Sequence, residues 1–139
     1  MPQPSDNLMQ LVFLALDHGI DSVRASGGPL IPFLMTQAGT GVSLMRFAAD
    51  TLEAGLANAE QAADSAGPKI IAYAIARDGF LTVGGERLDA ILVEAGERGD
   101  QTGFVFAQRY RPKKGLFGRF EVVGNAALAG EGPQRLRAG

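Results

Sequence analysis

The sequence contains no cysteine and only one histidine, His18, among its 139 residues. The lack of cysteine excludes disulfides, thiolate zinc sites, iron–sulfur ligation and cysteine nucleophiles. With one histidine, a metal or catalytic site that needs two imidazoles cannot form within a single chain. His18 falls near the end of the first predicted helix, where a cation interacts favourably with the helix dipole. We therefore expect a structural His18, no metal site and no cofactor.

Long hydrophobic runs and a strong charge of one sign are missing as well. The longest uncharged apolar stretch near the N-terminus, residues 11–16, is too short to span a membrane. It follows Pro2, Pro4 and Asp6 rather than a basic cluster, which argues against a signal peptide. The net charge of −2 gives no general attraction to nucleic acid or to an anionic membrane. We expect a soluble cytoplasmic protein, and the usage rich in alanine and glycine but poor in lysine is typical of a high-GC bacterium.

The length and composition favour one folded domain. Hydrophobic residues make up 46% of the chain and charged residues 20%, which is ordinary globular composition rather than disorder. A chain of this size buries roughly two thirds of its unfolded surface, which is enough for a core without covalent staples. We assign residues 1–129 to a single domain. Residues 130–139 have little to bury, and we expect them to form a flexible tail.

Two segments carry apolar residues at helical spacing. The first covers residues 6–18, beginning at the cluster of capping residues Ser5-Asp6-Asn7 and ending at Gly19 in the position of a C-terminal glycine. The second begins with a capping-box pattern at Asp50 and ends before Gly67. Its predicted inward stripe is made mostly of small residues, so this helix can lie close to a sheet. The stripe consists of Leu52, Leu56, Ala59 and Ala63.

The remaining apolar runs have the length and alternation of strands. Residues 30–37 and 42–48 flank Gly39 and predict a hairpin, with Pro32 at an edge or before the strand begins. Residues 70–76 are apolar on both faces, as in the centre of a sheet. Further strands are predicted at 88–95, 103–111 and 119–124, with an added β-finger at 78–87. The fold class is therefore α+β, an antiparallel sheet of about five to six strands with two main helices in the order α-β-β-α-β-β-β-β.

Basic residues are concentrated in one segment near the C-terminus. Such a patch could hold an anionic ligand or an acidic partner, or it could protect an edge hairpin from aggregation, and both interpretations stay open. The candidate ligand-binding residues are Arg109, Arg111, Lys113, Lys114 and Arg119. Leu116 and Phe117 are apolar residues at the tip of the same loop. They either fold back onto the sheet or contact a second subunit or a partner protein.

Two acids in one predicted strand invite comparison with metal-dependent nuclease cores. Asp89 and Glu94 lie five positions apart, and because this offset is odd they point to opposite faces of a regular strand. Ala95 and Gly96 follow Glu94, so the Glu-x-Lys pattern of such cores is absent. Solvated strand ends are the simpler interpretation.

Two hypotheses about function follow, and the sequence leaves open whether the protein is an enzyme. The first is a small non-catalytic module that binds proteins, as a homodimer or within a complex, and we favour it. The second is an enzyme or binding domain for a small anionic ligand. It would use Arg109, Arg111 and Lys113 to recognise charge and Asp89 or Glu94 as acid or base. This version requires Asp89 and Arg109 to lie on the same face of the sheet.

Overall fold

Two helices pack on opposite faces of one antiparallel sheet in the computed structural model, which describes residues 2–112 and 118–136. The sheet has six strands in the order β2-β1-β3-β4-β5-β6. The predicted fold class and the order α-β-β-α-β-β-β-β are confirmed. The helices are α1 (Asp6–Ser26) and α2 (Leu52–Asp64), and the strands are β1 (Phe33–Ala38), β2 (Gly41–Arg46), β3 (Ala72–Val83), β4 (Glu86–Glu97), β5 (Gly103–Arg111) and β6 (Glu121–Gly132).

Helix α1 continues two turns beyond its predicted end. It stops at Ser26, and Gly27 caps it with a φ of 85°, in the left-handed region that glycine adopts freely. Gly19 lies inside the helix, where a Cβ would come within 2.9 Å of the Cγ2 atom of Ile91. The predicted end at residue 18 is therefore wrong. Gly19 marks the closest approach of the helix to the sheet rather than a cap.

Helix α2 begins one residue later than predicted. Thr51 is the N-cap, and its hydroxyl accepts a backbone N–H from the first turn. Ala59 and Ala63 are fully buried as expected, whereas Leu52 is largely exposed. Gly55 is also buried, and a Cβ there would collide with the carbonyl oxygen of Phe47 in the preceding loop, so only glycine fits. The small residues bring α2 close to its neighbours, as the sequence predicted.

Strand β3 lies inside the sheet between β1 and β4 and separates two cores. Its alanines at 72, 74 and 76 pack beneath α1, on what we call the α1 face. Tyr73 and Ile75 pack beneath α2, on the α2 face. The predicted alternation and the interior position are both confirmed. Alanines on one side and larger side chains on the other allow α1 to approach the sheet closely.

The predicted β-finger is the outer half of two long strands. Strands β3 and β4 pair without interruption from Ala72↔Glu97 to Val83↔Glu86, and the turn lies at Gly84 and Gly85. The turn expected at Asp78 and Gly79 is absent. The Asp78 carboxylate instead accepts hydrogen bonds from Leu30 and Tyr110, so it is not free to form a local turn.

The last described residues pack against the α2 face. Strand β6 extends to Gly132 rather than ending at 124, and the Tyr73 hydroxyl donates to the Pro133 carbonyl at 2.8 Å. Leu136 is buried among α2 and β3 residues. Residues 130–136 therefore bury more than the expectation of little to bury had suggested. The division into a domain and a flexible tail is still a prediction.

Candidate functional site

The structure describes three of the seven predicted site residues. Arg111 is exposed and forms ion pairs with Glu86 at 3.3 Å and Glu121 at 3.0 Å. Arg119 is exposed and has no ion-pair partner among residues 2–112 and 118–136. Arg109 is described below. The other four, Lys113, Lys114, Leu116 and Phe117, lie outside the described residues.

Asp89 and Arg109 lie on opposite faces of the sheet. Asp89 is opposite Tyr110 in the β4–β5 register, and Tyr110 belongs to the α1 core. Arg109 is opposite Ala90, so it points to the α2 face because neighbouring residues of a strand alternate. The version of the anion-binding hypothesis that needs Asp89 and Arg109 together is therefore wrong.

Asp89 and Glu94 also point to opposite faces, as predicted. Glu94 lies on the α2 face, where Arg135 donates to its carboxylate at 2.6 Å. His18 packs edge-on against the Phe33 ring at 5.0 Å, and its Nε2 atom lies 3.0 Å from a guanidinium nitrogen of Arg46. Its predicted structural role fits these contacts, although it lies within α1 rather than at the end. The described part of the chain contains no group of three potential metal-binding side chains.

A cleft of about 570 Å³ lies at the outer end of the β3–β4 hairpin, beside the end of β5 and the start of β6. We call it the hairpin-end cleft. Its lining combines apolar surface, three arginines and two acids, Asp89 and Glu121. The apolar part comes from Phe80, Leu88, Tyr110 and Pro112, and the arginines are Arg87, Arg111 and Arg119.

A second depression of about 410 Å³ adjoins the hairpin-end cleft. The two share Phe80, Asp89, Tyr110 and Pro112. The second extends past the α1 cap at residues 27–29 and is lined mainly by apolar atoms. Asp89 therefore stands at the junction of the two depressions.

Tyr110 and Asp78 form a fixed wall of this region. The Tyr110 hydroxyl donates to Asp78 at 2.7 Å, and the second Asp78 oxygen accepts the Leu30 backbone N–H at 2.8 Å. Burial raises the pKa of the Tyr110 phenol above its usual range, and the hydrogen bond to Asp78 raises it further. The Tyr110 ring also stacks on Phe120 with centroids 5.3 Å apart. These groups have their hydrogen bonds satisfied within the chain.

Asp89 and Phe80 are open toward the cleft. Phe80 is 56% exposed, and the Arg87 guanidinium lies 4.0 Å from its ring centroid. Asp89 is partly buried, and none of the described residues forms a hydrogen bond or ion pair with its carboxylate. Sequence reasoning proposed Asp89 as an acid or base, but not Phe80 or Arg87. An exposed aromatic residue in a hairpin has no sequence signature of its own.

The two edges of the sheet differ. Strand β6 pairs with β5 through two register shifts, one between Val105 and Phe106 and the other between Ala107 and Arg109. Strand β2 pairs with β1 in an unbroken register over its whole length. One edge is therefore bulged and the other is regular.

The hydrogen-bonding pattern of β2 follows from one contact just beyond it. The Phe47 N–H donates to the Pro32 carbonyl, so Phe47 forms a hydrogen-bonded pair with Pro32, the residue before β1. In an antiparallel pair every second residue of a strand bonds to its neighbour, so the backbone groups of residues 41, 43 and 45 also bond to β1. The N–H and C=O groups of Val42, Leu44 and Arg46 consequently point outward. β1 starts after Pro32 and is not an edge strand, which is one of the two predicted alternatives.

Comparisons of this chain with protein-family models, curated proteins and solved structures find no match. Among the described residues, no helix combines the length and apolar character that a membrane span needs.

Proposed function

We propose that this protein is an assembly module whose working form is a homodimer, joined through the free edges of two β2 strands. The observation that supports this is the contrast between the two sheet edges. Proteins blunt exposed edges with bulges, charges, proline or covering elements. Strand β6 carries two bulges, whereas β2 is regular, largely exposed and has Arg46 as its one charged residue.

An antiparallel pairing centred on Leu44 uses every outward-facing residue of β2. Leu44 would face its own copy, and Val42 would face Arg46 of the other copy, so no like charges meet. This arrangement forms about six backbone hydrogen bonds, two for each of three facing pairs. Leu14 of α1 lines the same surface depression as Val42 and is also exposed, so α1 would add apolar contact beside the paired β2 strands.

Substitution of Val42→Pro tests this pairing. Proline removes an N–H that points away from β1, so the β1–β2 hairpin keeps its own hydrogen bonds. Each copy loses one intermolecular hydrogen bond of about 1 kcal/mol, which weakens the dimer by roughly 2 kcal/mol, or about thirtyfold in dissociation constant. Val42→Thr is the matched control, because it keeps both the N–H and the β-branched shape.

The measurement is light scattering and native mass spectrometry over a dilution series of the untagged chain. Circular dichroism of each variant checks that the fold is retained. We expect wild type and Val42→Thr to dimerise with similar constants. A wild-type monomer at all concentrations, or a folded Val42→Pro variant that dimerises as tightly as Val42→Thr, would contradict the proposal.

The second candidate function is binding of a small anionic ligand. Its support is the position of Arg87, Arg111 and Arg119 around a single cleft. Arginine presents a planar set of donors that suits carboxylate and phosphate groups. Arg109 lies on the α2 face and is not part of this site.

A further inference from the structure

We infer that the hairpin-end cleft binds a zwitterionic ligand with an apolar side chain, a short peptide or an amino acid, through Asp89 and Arg119. This inference develops the second candidate function. It does not involve the β2 edge, so the two proposals can fail separately.

The carboxylate of Asp89 selects a cationic group. It is partly buried, it stands where the two depressions meet, and no described residue donates to it. A carboxylate withdrawn from water gains most from a charged donor such as an ammonium group. A purely anionic ligand at this position would instead be repelled by Asp89. The acid therefore argues for a ligand that carries both charges.

Arg119 is the arginine best able to accept the ligand's carboxylate. Arg111 already pairs with two glutamates, and the Arg87 guanidinium lies over the Phe80 ring. Arg119 lines the same cleft and has no ion-pair partner in the described ranges.

An apolar side chain of the ligand suits the apolar surface of the same cleft. Phe80 and Leu88 line the cleft with apolar atoms, and the Phe80 side chain is exposed. The volume of about 570 Å³ lies within the range of roughly 300–1,000 Å³ that small-molecule pockets usually have. Burial of the Phe80 ring by the ligand would remove apolar surface from water.

The test is a titration of the ¹⁵N-labelled full chain with the dipeptide L-leucyl-L-phenylalanine, followed by amide chemical shifts. Two matched probes lack one charge each: the N-acetyl dipeptide has no ammonium, and the dipeptide amide has no carboxylate. We expect the free dipeptide to shift the amides of Phe80, Asp89 and Tyr110. Each blocked probe should bind at least tenfold more weakly.

Two variants test which residue of the protein binds each charged group of the dipeptide. Asp89→Asn should make the free and N-acetylated dipeptides bind equally, and Arg119→Gln should make the free dipeptide and its amide bind equally. Asp21→Asn is the control, because Asp21 is an exposed acid of α1 outside the cleft, and it should leave all affinities unchanged.

Three results would overturn the inference. The first is the absence of shifts around the cleft up to about 10 mM dipeptide, a range that reveals even millimolar binding. The second is equal binding of the free and N-acetylated dipeptides to the wild-type chain. The third is binding that neither Asp89→Asn nor Arg119→Gln changes. Repeating the titration on Val42→Pro separates this result from the assembly proposal, since the affinity should be the same in a monomer.

Discussion

Replacement of Arg135 by glutamine should destabilise the protein by about 4 kcal/mol. The Arg135 side chain is only 13% exposed and donates to three carboxylates. Its Nε atom lies 2.6 Å from Glu94 of β4, and its terminal nitrogens lie 2.9 Å from Glu60 and 3.1 Å from Asp64 of α2. These ion pairs join α2 to the sheet.

The magnitude comes mainly from Glu94. Its side chain is 15% exposed, so loss of Arg135 leaves a mostly buried carboxylate without a counter-charge, which costs about 3 kcal/mol. Glu60 and Asp64 are considerably more exposed, and solvent screening limits their pairs to about 0.5 kcal/mol each. Burial alone would lower the pKa of Arg135, but the bonds and charges of Glu94 and Asp64 outweigh it and raise the pKa, so the guanidinium stays charged.

Urea unfolding followed by circular dichroism measures this loss, and Arg111→Gln is the matched control. Arg111 also bridges two acids, Glu86 and Glu121, but all three side chains are exposed, so its loss should cost under about 1 kcal/mol. Adding Glu94→Gln to Arg135→Gln should recover more than half of the lost stability, since the buried charge disappears. The reasoning is refuted if Arg135→Gln costs no more than the control, or if the double variant recovers nothing.

Two further predictions concern buried contacts. Gly19→Ala should destabilise by up to about 2 kcal/mol in thermal unfolding, because the clash of the new Cβ with Ile91 costs about 1–3 kcal/mol and the higher helix propensity of alanine offsets about 1 kcal/mol. A midpoint raised by the full propensity gain would show that α1 does not approach the sheet so closely. Burial raises the pKa of Tyr73 and Tyr110, the chain's two tyrosines, above 10.0, so absorbance at 295 nm should not rise near that pH while the protein is folded. The protonated phenols stabilise the fold fully below the unfolded pKa, and this contribution is lost as pH rises above it. A rise near pH 10 with a native circular dichroism spectrum would contradict this.

Strand positions could be predicted because alternation within a strand is a local property. The two faces of residues 72–76 and the opposite directions of Asp89 and Glu94 both follow from a period of two. Glycine was harder to interpret. Gly19 and Gly27 are the same residue type in similar surroundings, yet one avoids a clash with β4 and the other adopts a positive φ. A sequence shows only that glycine has no Cβ, and both a close approach to another strand and a positive φ favour glycine for that reason.

The candidate site depends on the register between strands, which the sequence does not determine. The odd offset between Asp89 and Glu94 shows from the sequence that they point to opposite faces of β4. Only the β4–β5 register shows that Asp89 lies opposite Tyr110 rather than Arg109. Arg135 was missed for a related reason. Its main partner, Glu94, is 41 residues away in the chain, and the short segment around Arg135, with glycine and proline, has no periodic signal.

The two proposed surfaces do not overlap, and this constrains how they can be related. Strand β2 is one edge of the sheet, whereas the hairpin-end cleft is lined by strands β3 to β6, the nearest of which is two strands away. At about 4.8 Å per strand, that separation is roughly 10 Å. A twofold axis at β2 would therefore leave each cleft outside the interface and formed within its own chain. A ligand in one cleft would not contact the dimer interface directly. Ligand binding that altered the assembly state would thus require either coupling through the sheet or an interface near β6 or the β3–β4 hairpin rather than at β2.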